Sequence, residues 1–134
     1  MVNSPVPPNI SVIINCFNGE QYLREAIDSI YAQTYSNWEI IFWDNASSDN
    51  SSRIANSYDK KLKYYRSDNN TKLGEARVKA LEKAQGYYVA FLDVDDILLP
   101  LMLEEQLNIF NCSTEELGFV YGRVEFFSED KSSK

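Results

Sequence analysis

Histidine is absent from this chain of 134 residues, and cysteine and positive charge are scarce. Without histidine, the commonest general base of enzymes is missing. The two cysteines, Cys16 and Cys112, form no CxxC spacing, which argues against a zinc site or a disulfide framework and predicts reduced, buried thiols. The chain has 20 acidic and 13 basic residues and a net charge of −7, which argues against nucleic-acid binding and against charge-driven adhesion to an anionic membrane.

Long hydrophobic runs are also missing. No apolar stretch approaches the roughly 20 residues that span a bilayer. Residues 1–9 lack the basic-then-apolar pattern of a signal peptide. We therefore predict a cytoplasmic protein with no transmembrane segment. Apolar residues nevertheless make up 44% of the chain, which is enough for the core of one domain.

Strand-like and helix-like patterns alternate along the chain. We predict an extended lead-in over residues 1–9, one domain over residues 10–127 and a disordered tail over residues 128–134. Short apolar runs predict strands at 11–14, 39–43, 62–66, 87–92 and 118–121. Apolar residues at three- and four-residue spacing predict helices at 20–34 and 73–84, and Pro100 predicts the first turn of one reaching Phe110. Ser47 or Ser48 is predicted to cap a further helix reaching Tyr58.

This alternation predicts an α/β fold, with a Rossmann-like, mostly parallel sheet and helices on both faces. Right-handed crossovers favour the strand order 3-2-1-4. Ligands of such sheets bind outside the carboxyl ends of the strands, where the winding reverses. The candidate site therefore comprises residues 15–18, 44–45 and 93–96.

The acidic run Asp93-Val94-Asp95-Asp96 follows directly on an apolar strand. In one interpretation, Asp95 or Asp96 caps the next helix and Asp93 is a solvated loop residue. In the other, Asp93 and Asp95 hold Mg²⁺ or Mn²⁺, which bridges them to phosphate oxygens. An EF-hand is excluded because Leu98 stands where its loop requires glycine.

Other nucleotide and phosphate motifs are missing. The first strand is followed by no GxGxxG turn, the chain has no P-loop, and the first strand ends without the acid of a receiver domain. Three features of the candidate site remain, and together they suit a nucleotide. Phe17 could stack on a ring, Asp44 and Asn45 could form hydrogen bonds with the edge of a base, and the acid pair could hold a metal on a diphosphate. Three alternatives stay open: Phe17 as core, Asp44 as a turn residue, and Arg77 either in a surface ion pair or reaching the diphosphate.

Several segments together resemble family 2 glycosyltransferases. They are Ser11-Val12-Ile13-Ile14-Asn15-Cys16-Phe17-Asn18-Gly19-Glu20, Tyr22-Leu23, Ser29-Ile30, Gln33-Thr34, residues 38–49, residues 74–77, and residues 86–100 with Phe91-Leu92-Asp93-Val94-Asp95-Asp96. The match covers about residues 10–110 in the order expected for that family.

The resemblance implies the N-terminal, donor-binding half of a glycosyltransferase A fold. It implies that Asp95 is the principal metal ligand and that Asp93 binds metal or the donor ribose. The remaining implied nucleotide-sugar-binding residues are Phe17 stacked near the base, Asn15, Asp44 and Asn45 around it, and Arg77 toward the phosphates. It also implies the cofactor, Mn²⁺ or Mg²⁺.

The implied reaction is inverting. An acceptor hydroxyl attacks the sugar of a nucleoside-diphosphate sugar, with a UDP-sugar expected, while the metal stabilises the departing diphosphate. The acceptor would be a glycan or a lipid-linked molecule in polysaccharide or glycoconjugate synthesis. The protein would be cytoplasmic or peripheral at the inner membrane face.

Three residues depart from the family pattern: Asn45 replaces a common base-reading Asp, Asn15 a common Pro, and Val78 a common Asn. No catalytic base is identified, and we expect it beyond residue 134. Two alternatives stay open: a part of a longer enzyme, and a non-catalytic nucleotide-binding or partner-binding module of the same fold. An exposed sheet edge predicts a homo-oligomer.

Overall fold

The computed structural model describes residues 6–114, 116–120, 122 and 124–127. The strands of this part are β1 (Ile10–Cys16), β2 (Trp38–Asp44), β3 (Leu62–Arg66) and β4 (Tyr88–Phe91). The helices are α1 (Glu20–Tyr31), α2 (Ser51–Ala55), α3 (Leu73–Leu81) and α4 (Met102–Cys112). Strands and helices alternate throughout, which confirms the predicted α/β class.

All four strands are parallel, and their order is β3-β2-β1-β4. This confirms the order predicted from the sequence. Ile13 of β1 pairs with Ile41 of β2 on one side and with Phe91 of β4 on the other. Because the strands are parallel, the loops that follow β1, β2, β3 and β4 all leave the sheet at the same edge.

The two central strands are apolar on both faces because helices cover both faces. On one face, Val12 and Phe42 pack in a cluster that includes Leu23 of α1. On the other face, Ile13 packs in a cluster with Ala76 of α3. Alternate residues of β1 thus enter two separate cores, as buried parallel strands require.

A buried carboxylate joins three strands near the amino ends of β1 and β2. Glu39 is 3% exposed, and it accepts hydrogen bonds from Ser11 Oγ at 2.6 Å, Lys63 Nζ at 2.6 Å and the Gln85 amide at 2.8 Å. Ser11 Oγ in turn accepts from the Gly86 amide at 2.8 Å. Burial raises the pKa of Glu39, but the hydrogen bonds from Lys63, Ser11 and Gln85 outweigh it and leave this pKa below its usual value.

The second helix differs from the prediction. It begins at Ser51, after an Asn50 N-cap, and ends at Ala55, instead of being capped by Ser47 or Ser48 and reaching Tyr58. Ser47 caps no helix because its hydroxyl accepts a hydrogen bond from the Asn18 amide at 2.9 Å. This side chain therefore joins two loops, a long-range contact that the local pattern does not reveal.

Further predictions need correction or lie outside the described residues. Residues 118–120 are not in the sheet, and Phe119 is 76% exposed, so that segment lacks the buried face that stabilises a strand. Cys16 is buried as predicted, whereas Cys112, at the end of α4, is exposed. The predicted tail and the start of the lead-in, residues 1–5, lie outside the described residues. Among the described residues, no helix has the length and apolar character needed to cross a membrane.

Candidate functional site

The loops that follow β1 and β2 are joined by hydrogen bonds. Asn18, with a left-handed φ of 50°, accepts hydrogen bonds at Oδ1 from the amides of Ser48 at 2.8 Å and Asp49 at 3.3 Å. In return, the Gly19 amide donates to Ser51 Oγ at 3.0 Å. Asparagine tolerates the left-handed region because its short polar side chain bonds locally. These bonds join the two loops into one rim at the carboxyl end of the sheet.

The acidic run after β4 forms a turn, in which the Asp96 amide donates to the Asp93 carbonyl at 3.1 Å. Helix α4 begins only at Met102, after a Leu101 N-cap, so neither Asp95 nor Asp96 caps it. The side chains of Asp93, Asp95 and Asp96 are exposed and do not cap α4. The alternative in which one of these acids caps the next helix is therefore wrong.

The segment that follows the acidic run is anchored to α1 and to Gln33, just after that helix. The Leu98 amide donates to Ser29 Oγ at 3.1 Å, and Leu98 itself is 6% exposed. Gln33 Nε2 donates to the Leu99 carbonyl at 2.8 Å, and Gln33 Oε1 accepts from the Leu103 amide at 3.0 Å. The acidic turn is thus held between β4 on one side and this anchored segment on the other.

Gly19 brings the rim and the acidic run together. A Cβ added at Gly19 would lie 3.1 Å from both Cβ and Cγ2 of Val94 and 3.1 Å from Cys16 Sγ. Such contacts are tighter than ordinary van der Waals packing, so a side chain here would push against the acidic turn. The loop after β1 therefore touches the residue between Asp93 and Asp95.

The carboxylates after β4 create a negative potential, and the guanidinium of Arg77 lies close to it. Arg77 of α3 places Nη2 at 3.6 Å from Asp93 Oδ1, and its guanidinium lies 5.8 Å from the centre of the Phe91 ring. The pKa of Asp96 is raised by partial burial and by the charges of Asp93 and Asp95. Crowded negative charge of this kind attracts cations.

The carboxylates of this turn suit a hard divalent cation, but they would supply only part of its coordination shell. Asp93 and Asp95 offer exposed carboxylate oxygens, the ligand type that Mg²⁺ and Mn²⁺ prefer. Within the described ranges, no group of three or more His, Cys, Asp or Glu side chains is placed to hold a metal. A cation here would take its remaining ligands from water and from phosphate oxygens, as Mg²⁺ does in nucleotide sites.

A cleft of about 230 Å³ opens at the ends of β1 and β2. Phe17 is 52% exposed, so it is not a core residue, and it forms part of the cleft lining. The full lining consists of Asn15, Cys16, Phe17, Asn45, Asn70, Thr71, Leu73 and Ala76. An exposed aromatic ring at a cleft offers a stacking surface for a planar ligand.

Asp44 directly precedes the cleft residue Asn45 but is not among the residues that line the cleft. Its side chain is fully buried, with Oδ1 accepting from the Ser47 amide at 2.8 Å. Its Oδ2 accepts from the Tyr64 hydroxyl at 2.5 Å and from Arg66 Nη1 at 2.7 Å. The predicted contact of Asp44 with a nucleotide stays a prediction, but these bonds already occupy both oxygens and give the residue a structural task.

The predicted residues fall into three groups. Asn15, Phe17 and Asn45 line the cleft, Arg77 forms an ion pair with Asp93 in the turn that also holds Asp95, and Asp44 is buried and is not part of the cleft lining. The prediction from sequence missed the cleft wall formed by residues 70–73, which follows β3. Residues 67–70 were recognised only as a loop, although the rule that placed the other three loops at this edge applies equally to β3.

Comparison with known proteins identifies the family. The sequence profile described as Glycosyl transferase family 2 matches residues 11–133. The chain belongs to this family. An uncharacterized glycosyltransferase of Rickettsia felis is 38% identical over 128 residues, covering 94% of this chain and 21% of that protein. The Escherichia coli protein named UDP-Glc:alpha-D-GlcNAc-diphosphoundecaprenol beta-1,3-glucosyltransferase WfgD is 32% identical. The match covers 90% of this chain and 47% of the Escherichia coli protein.

Solved structures of similar fold agree with this family 2 assignment. S. aureus TarS 1-349 in complex with UDP-GlcNAc has a TM-score of 0.74 at 29% identity, covering 77% of this chain and 31% of that one. The mannosyltransferase PcManGT of Pyrobaculum calidifontis, in complex with GDP-Man and Mn²⁺, has a TM-score of 0.60 at 26% identity. The match covers 69% of this chain and 29% of that one. The chain therefore has the α/β fold of these glycosyltransferases and spans less than half of each relative named here.

Proposed function

We propose that this family 2 chain is the donor-binding portion of an inverting glycosyltransferase that uses a nucleoside-diphosphate sugar, with UDP-sugar as the expected donor. One observation carries the proposal. A cleft with an exposed aromatic ring, Phe17, lies at the ends of β1 and β2, and the exposed carboxylates Asp93 and Asp95 follow the neighbouring strand β4. A nucleotide needs both parts, one for its base and one for its diphosphate.

The base is proposed to lie in the cleft. Phe17 would stack on the ring, while Asn15 and Asn45 supply polar groups around it. Asp44 would act indirectly, because its carboxylate accepts hydrogen bonds from the Ser47 amide in the loop after β2 and from the Arg66 guanidinium of β3. UDP-GlcNAc and GDP-Man, the ligands in the similar solved structures, support a nucleotide here and leave the base to be determined.

The diphosphate is proposed to lie toward the acidic turn, held through Asp95 and Asp93. A bound Mn²⁺ or Mg²⁺ would stabilise the negative charge that develops on the leaving diphosphate. Arg77, 3.6 Å from Asp93, would orient that carboxylate and is close enough to the turn to reach phosphate oxygens. The Mn²⁺ in the mannosyltransferase complex supports this choice of cofactor.

The acceptor is proposed to be a glycan or a lipid-linked molecule in polysaccharide or glycoconjugate synthesis. The diphosphoundecaprenol in the name of the similar Escherichia coli protein supports the lipid-linked choice. We propose a cytoplasmic location at the inner membrane face, where such a lipid is accessible, and a catalytic base beyond residue 134. Among the described residues no further strand pairs with β4 on its outer side, and Val89 is 40% and Phe91 52% exposed, so this edge is proposed to support self-association.

The test is calorimetric titration of UDP in the presence and absence of Mn²⁺, on the wild type, Asp95→Ala and Glu25→Ala. Glu25 is an exposed acid of α1, so its variant changes the net charge equally. We expect affinity to fall roughly tenfold or more without metal or in Asp95→Ala, which corresponds to about 1.4 kcal/mol. Binding that is unchanged by metal and by Asp95→Ala would refute the proposal.

Transfer is tested separately, by incubating UDP-sugars and a lipid-linked acceptor with the chain and with a longer polypeptide that contains it. Transfer by the longer polypeptide is the expected result. Metal-dependent nucleotide binding without transfer by either protein would favour the non-catalytic nucleotide-binding module.

A further inference from the structure

A second hollow, of about 430 Å³, lies where the loop after β3 meets the end of α3. It is lined by Trp43 of β2, residues 66–69, Thr71, Lys79, Glu82 and Lys83. Thr71 is the one lining residue that it shares with the nucleotide cleft. Pockets that bind small molecules have volumes of about 300–1,000 Å³. The second hollow is therefore large enough for a small ligand of its own.

The second hollow is separate from the acidic turn. It adjoins β3, whereas the turn follows β4, and these two strands hold the outer positions of the order β3-β2-β1-β4. Neighbouring strands lie about 4.8 Å apart, so three spacings place β3 and β4 roughly 14 Å from each other. The lining contains none of the residues proposed to hold the nucleotide or its metal. A ligand in the second hollow would therefore be additional to the nucleotide.

Trp43 brings an unpaired polar atom to the second hollow. It is 8% exposed, and its Nε1 is buried with no hydrogen-bond partner among the described residues. The indole N–H can only donate, and a buried donor without an acceptor is destabilising, so this atom needs an explanation. The other such atom in the described part of the chain, Asn15 Oδ1, belongs to the nucleotide cleft. An acceptor oxygen from a ligand in the second hollow would complete the hydrogen bonding of Trp43.

The neighbours of Trp43 fix its ring and leave one movable side chain. The rings of Trp43 and Tyr65 are nearly parallel, at 20°, with their centres 6.3 Å apart. Lys83 Nζ lies 5.3 Å from the centre of the Tyr65 ring. Because Lys83 is exposed and its long side chain has many rotamers, it can move aside and open a path to Trp43 Nε1.

The charges around the second hollow balance. Two lysines and two acids line it, namely Lys79, Lys83, Asp68 and Glu82. Arg66 adds no free charge, because its guanidinium donates to Asp44 Oδ2 at 2.7 Å and to the Ser47 carbonyl at 2.8 Å. An anion would thus meet as much repulsion as attraction. A neutral molecule with many hydroxyl groups, in contrast, can donate to the acids and accept from the lysines.

We infer that the second hollow binds a neutral sugar residue, one hydroxyl oxygen of which accepts a hydrogen bond from Trp43 Nε1. Its other hydroxyls would donate to Asp68 and Glu82 and bond to the Asn69 amide, beside an aromatic ring. The sugar residue is free or part of a glycan chain, since both present this chemistry. This inference goes beyond the proposed function and does not depend on it.

The test uses the indole signal of Trp43. The chain has two tryptophans, Trp38 and Trp43, so ¹H–¹⁵N spectra hold two indole N–H signals, which Trp43→Phe assigns. Trp38 lies at the opposite end of β2, with its ring centre 4.9 Å from that of Tyr31, and serves as the internal reference. Glucose, N-acetylglucosamine, cellobiose and chitobiose are titrated without nucleotide or metal up to about 10 mM, which detects dissociation constants near 1 mM.

We expect at least one of these sugars to shift the Trp43 indole signal in a saturable way and to leave the Trp38 signal unchanged. Sodium phosphate, the anion probe, should leave both signals unchanged. Tighter binding of a disaccharide than of its monosaccharide would identify a glycan chain as the source of the sugar residue. Equal affinities would identify a free sugar.

Three variants locate the contact, with the backbone amide of Asn69 as the reporter. Trp43→Phe keeps an aromatic ring and removes the N–H, so sugar binding should weaken roughly two- to tenfold, as the loss of one hydrogen bond predicts. Glu82→Ala changes an exposed side chain outside the core and should also weaken it. Glu105→Ala, an equal charge change at an exposed position of α4, should bind sugar as the wild type does.

Three results would overturn the inference. If none of the four sugars shifts the Trp43 signal, the second hollow is not a sugar site. If sodium phosphate shifts it and the sugars do not, the second hollow binds anions. If sugars bind the wild type, Trp43→Phe and Glu82→Ala equally well, they bind elsewhere on the chain. Because these titrations contain neither UDP nor Mn²⁺, their outcome is independent of the test of the proposed function.

Discussion

Replacing Asp44 by asparagine tests whether this residue supports the site or touches the ligand. The substitution keeps the volume and one oxygen, which can still accept from the Ser47 amide. The new NH₂ group faces Arg66, which has only donors, whereas the Tyr64 hydroxyl can rotate to accept. Hydrogen bonds to charged groups contribute about 1.5–3 kcal/mol each, and the partly exposed Arg66 reduces the loss by solvent screening. We therefore expect Asp44→Asn to lower the free energy of unfolding by about 2–4 kcal/mol.

The assay is urea unfolding followed by tyrosine and tryptophan fluorescence, together with UDP titration of the folded variant. With an m-value of about 2 kcal/mol per molar urea, the midpoint should fall by about 1–2 M. Tyr64→Phe removes one of the three bonds and should cost about 1–2 kcal/mol. If Asp44→Asn leaves the urea midpoint unchanged but abolishes nucleotide binding, Asp44 contacts the ligand and the structural assignment is wrong.

Three further predictions follow from the sheet. The folded pKa of Glu39 lies below its unfolded value of about 4.3, so its stabilising bonds are fully present above that pH and are lost as the pH falls through the folded pKa. In urea midpoints measured from pH 3 to 7, Glu39→Gln should therefore show a smaller loss of stability at acid pH than the wild type. An equal loss in both proteins would contradict this prediction. A Cβ on Gly86 would lie 2.6 Å from the Ser11 amide nitrogen, so Gly86→Ala should cost about 1–3 kcal/mol in urea unfolding, and an unchanged midpoint would count against the close packing. Phe91→Lys should weaken self-association in sedimentation velocity, whereas a wild type that is monomeric at every concentration would refute the oligomer proposal.

The sheet could be predicted from sequence because its strands carry their own signal. Runs such as 40–43 are apolar at every position, which suits a strand buried on both faces, and the winding rules then favoured the observed order of the four parallel strands. Helix α1 was predicted for the same reason, since Leu23, Ala26, Ile27 and Ile30 form one buried stripe. These features depend on residues close together in the chain.

The roles of the polar residues could not be predicted in the same way. Ser47 has a good capping side chain, but it is used 29 residues away at Asn18. Asp44 and Asn45 were expected to face the ligand, yet both are bonded to the segment from Arg66 to Thr71. Whether a polar group is free for a ligand depends on which donors and acceptors the fold brings to it, and that is a tertiary property.

The most direct test of the account is to locate the metal in the presence of nucleotide. Mn²⁺ is paramagnetic, so amide signals near it broaden in ¹H–¹⁵N correlation spectra of the chain recorded with UDP, with Mg²⁺ as the diamagnetic control. We predict strongest broadening at residues 93–96, with effects at Arg77 and Gly19 that increase when UDP is added, because loop, turn and arginine lie together. Broadening centred on another acidic surface, or unaffected by UDP, would contradict the claim that this edge of the sheet binds a metal-bridged nucleotide diphosphate.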